Sequence, residues 1–154
     1  MQIKIEVPRI EDFKEVNKLA KQVHDLHVKW RPDLFLSIDE VISIEEFEKM
    51  IQNKEIIIAK IQDEIVGYTT FNIKEKDKPG FRYKKQLQID AICVNEKNRG
   101  NGIGKELLEY VKKYAKENGC TDIYLTVNEE NKNAIKVYEK LGFKVKNIAY
   151  SMQI

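Results

Sequence analysis

The chain has 154 residues, 42% of them hydrophobic and 34% charged, and its Lys+Arg 27 against Asp+Glu 25 leave a net charge of only +2. That is one domain's worth of core under a charged coat, expected to span residues 1–154. The balance gives no electrostatic case for a nucleic-acid partner, and no run approaches the about 20 apolar residues that cross a bilayer.

Residues 2–7 alternate polar and apolar and predict a strand that Pro8 ends. They do not read as a signal peptide. From Glu11 a helical stripe begins: Phe13, Val16, Leu19, Ala20, Val23, Leu26 and His27. Pro32 disfavours helix at Arg31 and stops it. Residues 34–40 show no period. Ser43 and Glu46 have capping-box spacing and open a second helix. Residues 55–61 and 65–73 are short and rich in β-branched side chains, separated by Gln62-Asp63-Glu64, so they predict a hairpin. A loop with Pro79-Gly80 follows.

The second half alternates strand and helix. Leu87–Val94 predicts a strand and Gly102–Asn118 a helix capped by Gly119. A strand is expected over Thr121–Val127 and a helix over Asn131–Leu141, with Gly142 after it. Phe143–Val145 and Ala149–Ile154 predict closing strands, the last offering an edge for a homodimer. This order argues for α/β layers around a mixed sheet. Cys93 and Cys120 lie in no CxxC pair and near no histidine cluster. Neither a disulfide framework nor a metal site is expected, which suits a reducing, cytoplasmic setting.

The junction between the strand ending at Val94 and the next helix reads Arg99-Gly100-Asn101-Gly102-Ile103-Gly104-Lys105. A helix start leaves backbone N–H groups unpaired and partly positive, and glycines leave them open to an anion. The turn is not a dinucleotide fingerprint, because Lys105 stands where the last glycine is required. Nor is it a Walker loop, because Arg99 and Glu106 occupy its required Gly and Ser/Thr positions. What remains is Arg-x-x-Gly-x-Gly. Downstream, Asn131, Ala134 and Tyr138 are spaced i, i+3 and i+7, one stripe of a helix, and Gly142-Phe143 follow.

Together the two motifs resemble the GNAT superfamily of acetyl-CoA-dependent N-acetyltransferases, firmly over residues 87–145. The resemblance implies a GNAT-like α/β fold: a mixed, mostly antiparallel twisted sheet of six to seven strands, flanked by helices, with a splayed central strand pair. It implies acetyl-CoA as co-substrate. The pyrophosphate would lie on Arg99, Gly100, Asn101, Gly102, Ile103, Gly104 and Lys105. The pantetheine arm would run along Ile92, Cys93 and Val94, and Asn131, Ala134 and Tyr138 would lie beside it. Ile92 N–H would stabilise the oxyanion, and Tyr138 would meet the departing sulfur.

Direct attack by a neutral primary amine needs a proton acceptor. Some family members carry a glutamate four residues before the oxyanion donor, and Gln88 stands there instead. Strand alternation would put Gln88, Asp90, Ile92 and Val94 on one face, making Asp90 the nearest carboxylate and the candidate base. The same alternation turns Cys93 away from Ile92, against a ping-pong acetyl-cysteine route. His27 and Arg31 are candidate acceptor-side residues, on a helix the family places beside the cleft. The acceptor stays open between a small-molecule amine and a protein N-terminus or lysine. The competing readings are a non-catalytic CoA-binding regulatory module and a nucleic-acid-binding domain.

Overall fold

The computed structural model describes residues 2–154. Strand β1 (Lys4–Glu6) leads through a short 3-10 turn into helix α1 (Phe13–Trp30), and α2 (Ile44–Gln52) follows. Three longer elements form the body of the sheet: β2 (Ile56–Ile61), β3 (Glu64–Lys76) and β4 (Lys84–Val94). Helix α3 (Ile103–Glu117), strand β5 (Asp122–Tyr124) and helix α4 (Lys132–Lys140) complete the chain's regular structure.

The sheet order is β1-β2-β3-β4-β5. The first three pairings are antiparallel and β4–β5 is parallel. Gln62 and Asp63 join β2 to β3 with φ of 50° and 65°. Two left-handed residues in a two-residue connection match the right-handed twist of the flanking strands.

Each face of the sheet packs its own cluster. On one side α3 buries Ile103, Leu107, Leu108, Val111 and Ala115 against Ile57, Val66, Phe71, Leu87 and Ile89. Burying each large aliphatic side chain contributes about 1.5–3 kcal/mol. On the other side, Val16, Leu19 and Ala20 of α1 and Phe47 of α2 meet Ile56, Ile58, Tyr68 and Cys93. Ser43 caps α2, its hydroxyl accepting from Glu46 N–H at 3.1 Å, which is one half of the capping box that the spacing predicts.

The α/β class and the mixed sheet stand, but the sheet has five strands rather than six to seven. The segments expected to close it, Phe143–Val145 and Ala149–Ile154, form no strands. A closing strand needs a ladder to join, and β5 is only three residues long, not the seven predicted over Thr121–Val127. The segment after α4 reaches toward β5 at Lys146, whose ammonium sits 5.0 Å from the Tyr124 ring. A space of about 710 Å³ separates the two.

Candidate active site

Strands β4 and β5 pair only at Gln86↔Asp122, Leu87↔Ile123 and Gln88↔Tyr124. Strand β4 runs on to Val94 while β5 stops at Tyr124, and beyond the last pair the two segments line one cavity instead of pairing. Beyond Gln88 no strand pairs with β4 on that side, although Val94 O accepts from Gln22 Nε2 and Arg99 Nε. Asn95 N–H donates to Val66 on β3 at 2.8 Å. Backbone polar groups alternate along a strand, so those of Ile92 and Val94 face the gap.

A bulge lies at the start of this free stretch. Thr70 pairs with Ala91 and Phe71 with Ile89, leaving Asp90 without a partner on β3. The extra residue reverses which face each side chain takes. Leu87 and Ile89 pack with the α3 cluster, as do Ile92 and Val94, whereas Ala91 and Cys93 pack with the α1 cluster. The expected common face of Gln88, Asp90, Ile92 and Val94 is therefore broken at Asp90. Cys93 does turn away from Ile92, and its thiol donates to Leu19 O at 3.3 Å. Burial pushes that thiol up to about 12, which leaves it protonated and unfit as a nucleophile.

The gap holds a cavity of about 400 Å³. Its β5-side wall comes from Leu125, Thr126, Val127, Asn128, Asn131 and Tyr138. Ile89–Cys93 and Tyr68 form the base, and Val23, His27, Leu34 and Phe35 the α1-side wall.

The glycine turn lies at the end of β4. Gly102 is the N-cap of α3 and sits at φ +80°, a conformation glycine adopts without the Cβ penalty. No side chain caps the helix, and Glu106 N–H, donating to Gly102 O at 3.0 Å, is the first amide the helix itself satisfies. The amides before it are left for another acceptor. Ile103 is buried and anchors the turn to the core. The Arg99 guanidinium folds back, its Nε donating to Val94 O at 3.3 Å.

Helix α4 places Asn131 and Tyr138. Asn131 is its N-cap, the side-chain oxygen accepting from Ala134 N–H at 3.2 Å. At the other end, Phe143 N–H donates to Tyr138 O at 3.0 Å and Gly142 N–H to Glu139 O at 3.1 Å, with Gly142 at φ +101°. This is a Schellman closure, and its customary hydrophobic contact joins Phe143 to Tyr138 edge to face at 5.7 Å. The Gly-Phe of the motif thus holds the Tyr138 ring. Burial pushes the Tyr138 phenol up to about 12, with a smaller contribution from Cys93.

Asp90 lines the cavity while much of the residue faces solvent. Asn72 Nδ2 donates to one carboxylate oxygen at 2.6 Å and Gln88 Nε2 to the other at 3.3 Å. Partial burial raises its pKa above the usual carboxylate value, opposed by the Asn72 hydrogen bond and the Lys74 charge. His27 also lines the cavity, and burial, then His24, lowers its pKa. Arg31 is closed on Asp33 through contacts of 2.9 and 2.7 Å and is not among the lining residues.

Sequence reasoning missed four contributors. Tyr68 and Phe35 line the cavity, and Asn72 holds Asp90. Gln22 ties α1 to the turn, donating to Val94 O at 3.3 Å and accepting from Glu96 N–H at 3.4 Å. None lies in a motif; each matters through a partner distant in sequence. Among the described residues no helix is long and apolar enough to cross a membrane, and no cluster of His, Cys, Asp and Glu suits a metal ion.

The chain is 34% identical over 87 residues to N-acetyltransferase 8 of Rattus norvegicus, covering 56% of this chain and 38% of that protein. It thus spans well under half of that relative's length. A mutant form of the BH1408 protein from Bacillus halodurans superposes with a TM-score of 0.93 at 26% identity, covering 100% of this chain and 99% of the other. Aminoglycoside N-acetyltransferase AAC(6')-Iy in complex with CoA shares the fold at a TM-score of 0.74 and 18% identity, covering 99% of this chain and 95% of that one. Residues 20–143 match the Acetyltransferase (GNAT) family, and the chain belongs to it.

Proposed function

We propose that the protein transfers an acetyl group from acetyl-CoA to a primary amine by direct attack. The observation that carries this reading is the parting of β4 from β5 beside an uncapped glycine turn. A pantetheine arm can add to the open edge of β4 as a strand would, while the turn's free amides receive the pyrophosphate. The residues fit that cargo: Gly102, Ile103, Gly104 and Lys105 at the phosphates, Ile92 and Val94 along the arm, and Tyr138 near the thioester. The like-folded aminoglycoside enzyme is described as a complex with CoA, which supports the same donor here.

In this reading the amine nitrogen attacks the thioester carbonyl carbon, and Ile92 N–H stabilises the oxygen as it becomes negative. Asp90 takes the proton released by the amine and passes it to water, to which it is open. The C–S bond then breaks and the electron pair leaves on sulfur. A phenol near 12 does not hand its proton outright to a thiolate whose conjugate acid lies near the ordinary thiol value of about 8.5. Tyr138 instead donates a hydrogen bond to the developing thiolate, a role that requires the neutral phenol which burial maintains.

The direct test is calorimetric titration with acetyl-CoA, CoA and NADH. Binding of both CoA species and not NADH is expected. Folded protein that ignores acetyl-CoA would end the proposal. Binding without CoA release across a broad amine panel would leave a regulatory CoA-binding module.

A further inference from the structure

The α1-side wall is more selective than its lack of a motif suggests. We propose that the acceptor is a small primary monoamine with an apolar or aromatic body and no acidic group. Asp90 receives its ammonium, takes the proton whose loss frees the nitrogen lone pair and passes it to water before attack, and Val23, Leu34 and Phe35 receive its body. The inference rests on the acetyl-transfer reading above.

Charge sets the first limit. Asp90 is the only Asp, Glu, Lys or Arg among the residues lining the cavity. The lining histidine, His27, is turned toward its neutral form by burial. Arg31 is closed on Asp33 and is not among the lining residues. A cation entering the cavity thus meets one carboxylate, whereas a carboxylate or phosphate on the acceptor would be desolvated with no cationic side chain among the lining residues. Amino acids and amino-sugar phosphates are disfavoured on this ground.

The hydrogen-bonding groups agree. Asn72 donates its amide nitrogen to Asp90, which fixes its orientation and leaves Oδ1 as a buried acceptor with no partner. The Asn72 amide nitrogen thus orients the Asp90 carboxylate, the group of the pair that lines the cavity, and a carboxylate accepts from an ammonium's N–H donors. The same pair offers nothing to an anion.

Shape supplies the apolar half. The His27 ring lies 5.3 Å from Phe35, and His24 meets Phe35 edge-on at 5.9 Å. His24 Nε2 is 2.7 Å from Leu36 O. Further along, Asn17 and Ile42 exchange two hydrogen bonds, at 3.1 and 2.9 Å. The loop carrying Leu34 and Phe35 is therefore pinned to α1 and presents a preformed wall. Leu34 is 63% exposed at its rim, apolar area that an aromatic body would cover.

The test uses phenethylamine and phenylalanine, which share ring and amine and differ by one carboxylate. Glucosamine 6-phosphate and a lysyl peptide complete the panel. Phenethylamine should show kcat/KM about 100-fold above phenylalanine and at least about 10-fold above the other two, with the anion penalty setting the scale. Asp90→Asn should raise the phenethylamine KM about 10-fold, the loss of one charged partner, lower kcat as well because the proton acceptor is gone, and leave acetyl-CoA affinity unchanged. Equal or better turnover of phenylalanine, the sugar phosphate or the peptide overturns the proposal. Phenethylamine binding is also followed directly by calorimetry, with and without CoA. If acetyl-CoA binds and phenethylamine does not, the acceptor assignment fails alone. If acetyl-CoA does not bind, the transfer reading fails first.

Discussion

The two sides of the cavity are built from different materials. On the α3–α4 side the working groups belong to the backbone: the open edge of β4, the free amides of the glycine turn and the Schellman closure after Tyr138. On the α1 side they are side chains: His27, Phe35, Asp90 and the residues that pin them. A fixed donor can be met by backbone geometry, which few substitutions disturb and which short motifs encode. A variable acceptor is met by side chains, which change one at a time without altering the fold. On the proposed reading the donor side is accordingly legible in this chain's short motifs, and the acceptor side has to be read from its scattered side chains.

The largest expected effect tests the one side chain on which the backbone-built side depends. Tyr138→Phe should lower kcat about 100-fold, the scale of one lost transition-state donor, and leave acetyl-CoA affinity within about threefold. Phe143→Ala should move kcat in the same direction by a smaller factor, because it frees the ring that Phe143 holds at 5.7 Å. Single-turnover rates with saturating amine measure both. An unchanged chemical step in Tyr138→Phe would remove the phenol from the reaction.

Two further substitutions separate ligand contact from structure. Gly102 is a poor test, since any side chain at φ +80° is strained whether or not a ligand binds. Gly104 has no positive φ, and a Cβ there would meet only Val94 Cγ2 at an ordinary 3.9 Å. Gly104→Ala should therefore hold or raise the melting temperature, as alanine does in a helix by up to about 1 kcal/mol. It should weaken acetyl-CoA by about 10-fold, or about 1.4 kcal/mol, if phosphate must approach that amide closely. Unaltered affinity would mean that the turn does not hold the phosphates. At Asn131 the observed cap and the proposed cofactor contact share one side chain. Asn131→Ala should cost about 1 kcal/mol of stability through the lost cap. Asn131→Asp keeps the accepting oxygen at Ala134 N–H but loses the amide donor. Thermal melts should show it near wild type while acetyl-CoA affinity falls a few-fold.

What the sequence made legible follows from how local each signal is. The α3 stripe, the Ser43 cap and the glycine turn are set by residues within a turn or two of one another, and they appear where spacing puts them. The bulge at Asp90 does not, because it is a mismatch of register between β3 and β4 that neither strand carries alone. That single extra residue undid the expected face for Gln88 and Asp90. The tail failed differently. Residues 143–154 have the apolar content of strands, but strand formation waits on a partner edge, and β5 ends at Tyr124. The pinned loop of the acceptor wall was illegible for the same reason. His24 with Leu36 and Asn17 with Ile42 are contacts across irregular chain.

The smallest effect serves as the control for both sides. Lys4 and Lys60 face each other across β1 and β2, a like-charge pair that is unfavourable alone. Glu6 lies between them, 3.1 Å from Lys4 and 2.8 Å from Lys60. The Lys60 hydrogen bond, then that of Lys4, lowers the Glu6 pKa below its ordinary value. A depressed folded pKa contributes stability above the unfolded value, and that contribution disappears as pH falls through the folded one. Glu6→Gln should thus lower stability by less than about 1 kcal/mol at neutral pH, the usual ceiling for a solvent-screened pair. The difference from wild type should close in acid below the Glu6 titration, as urea melts at several pH values would show. Because the pair sits on the far edge of the sheet, acetyl-CoA affinity and amine KM should not change. If either does, small losses of stability reach the cavity, and the effects of the other variants must be corrected for it before either side is assigned.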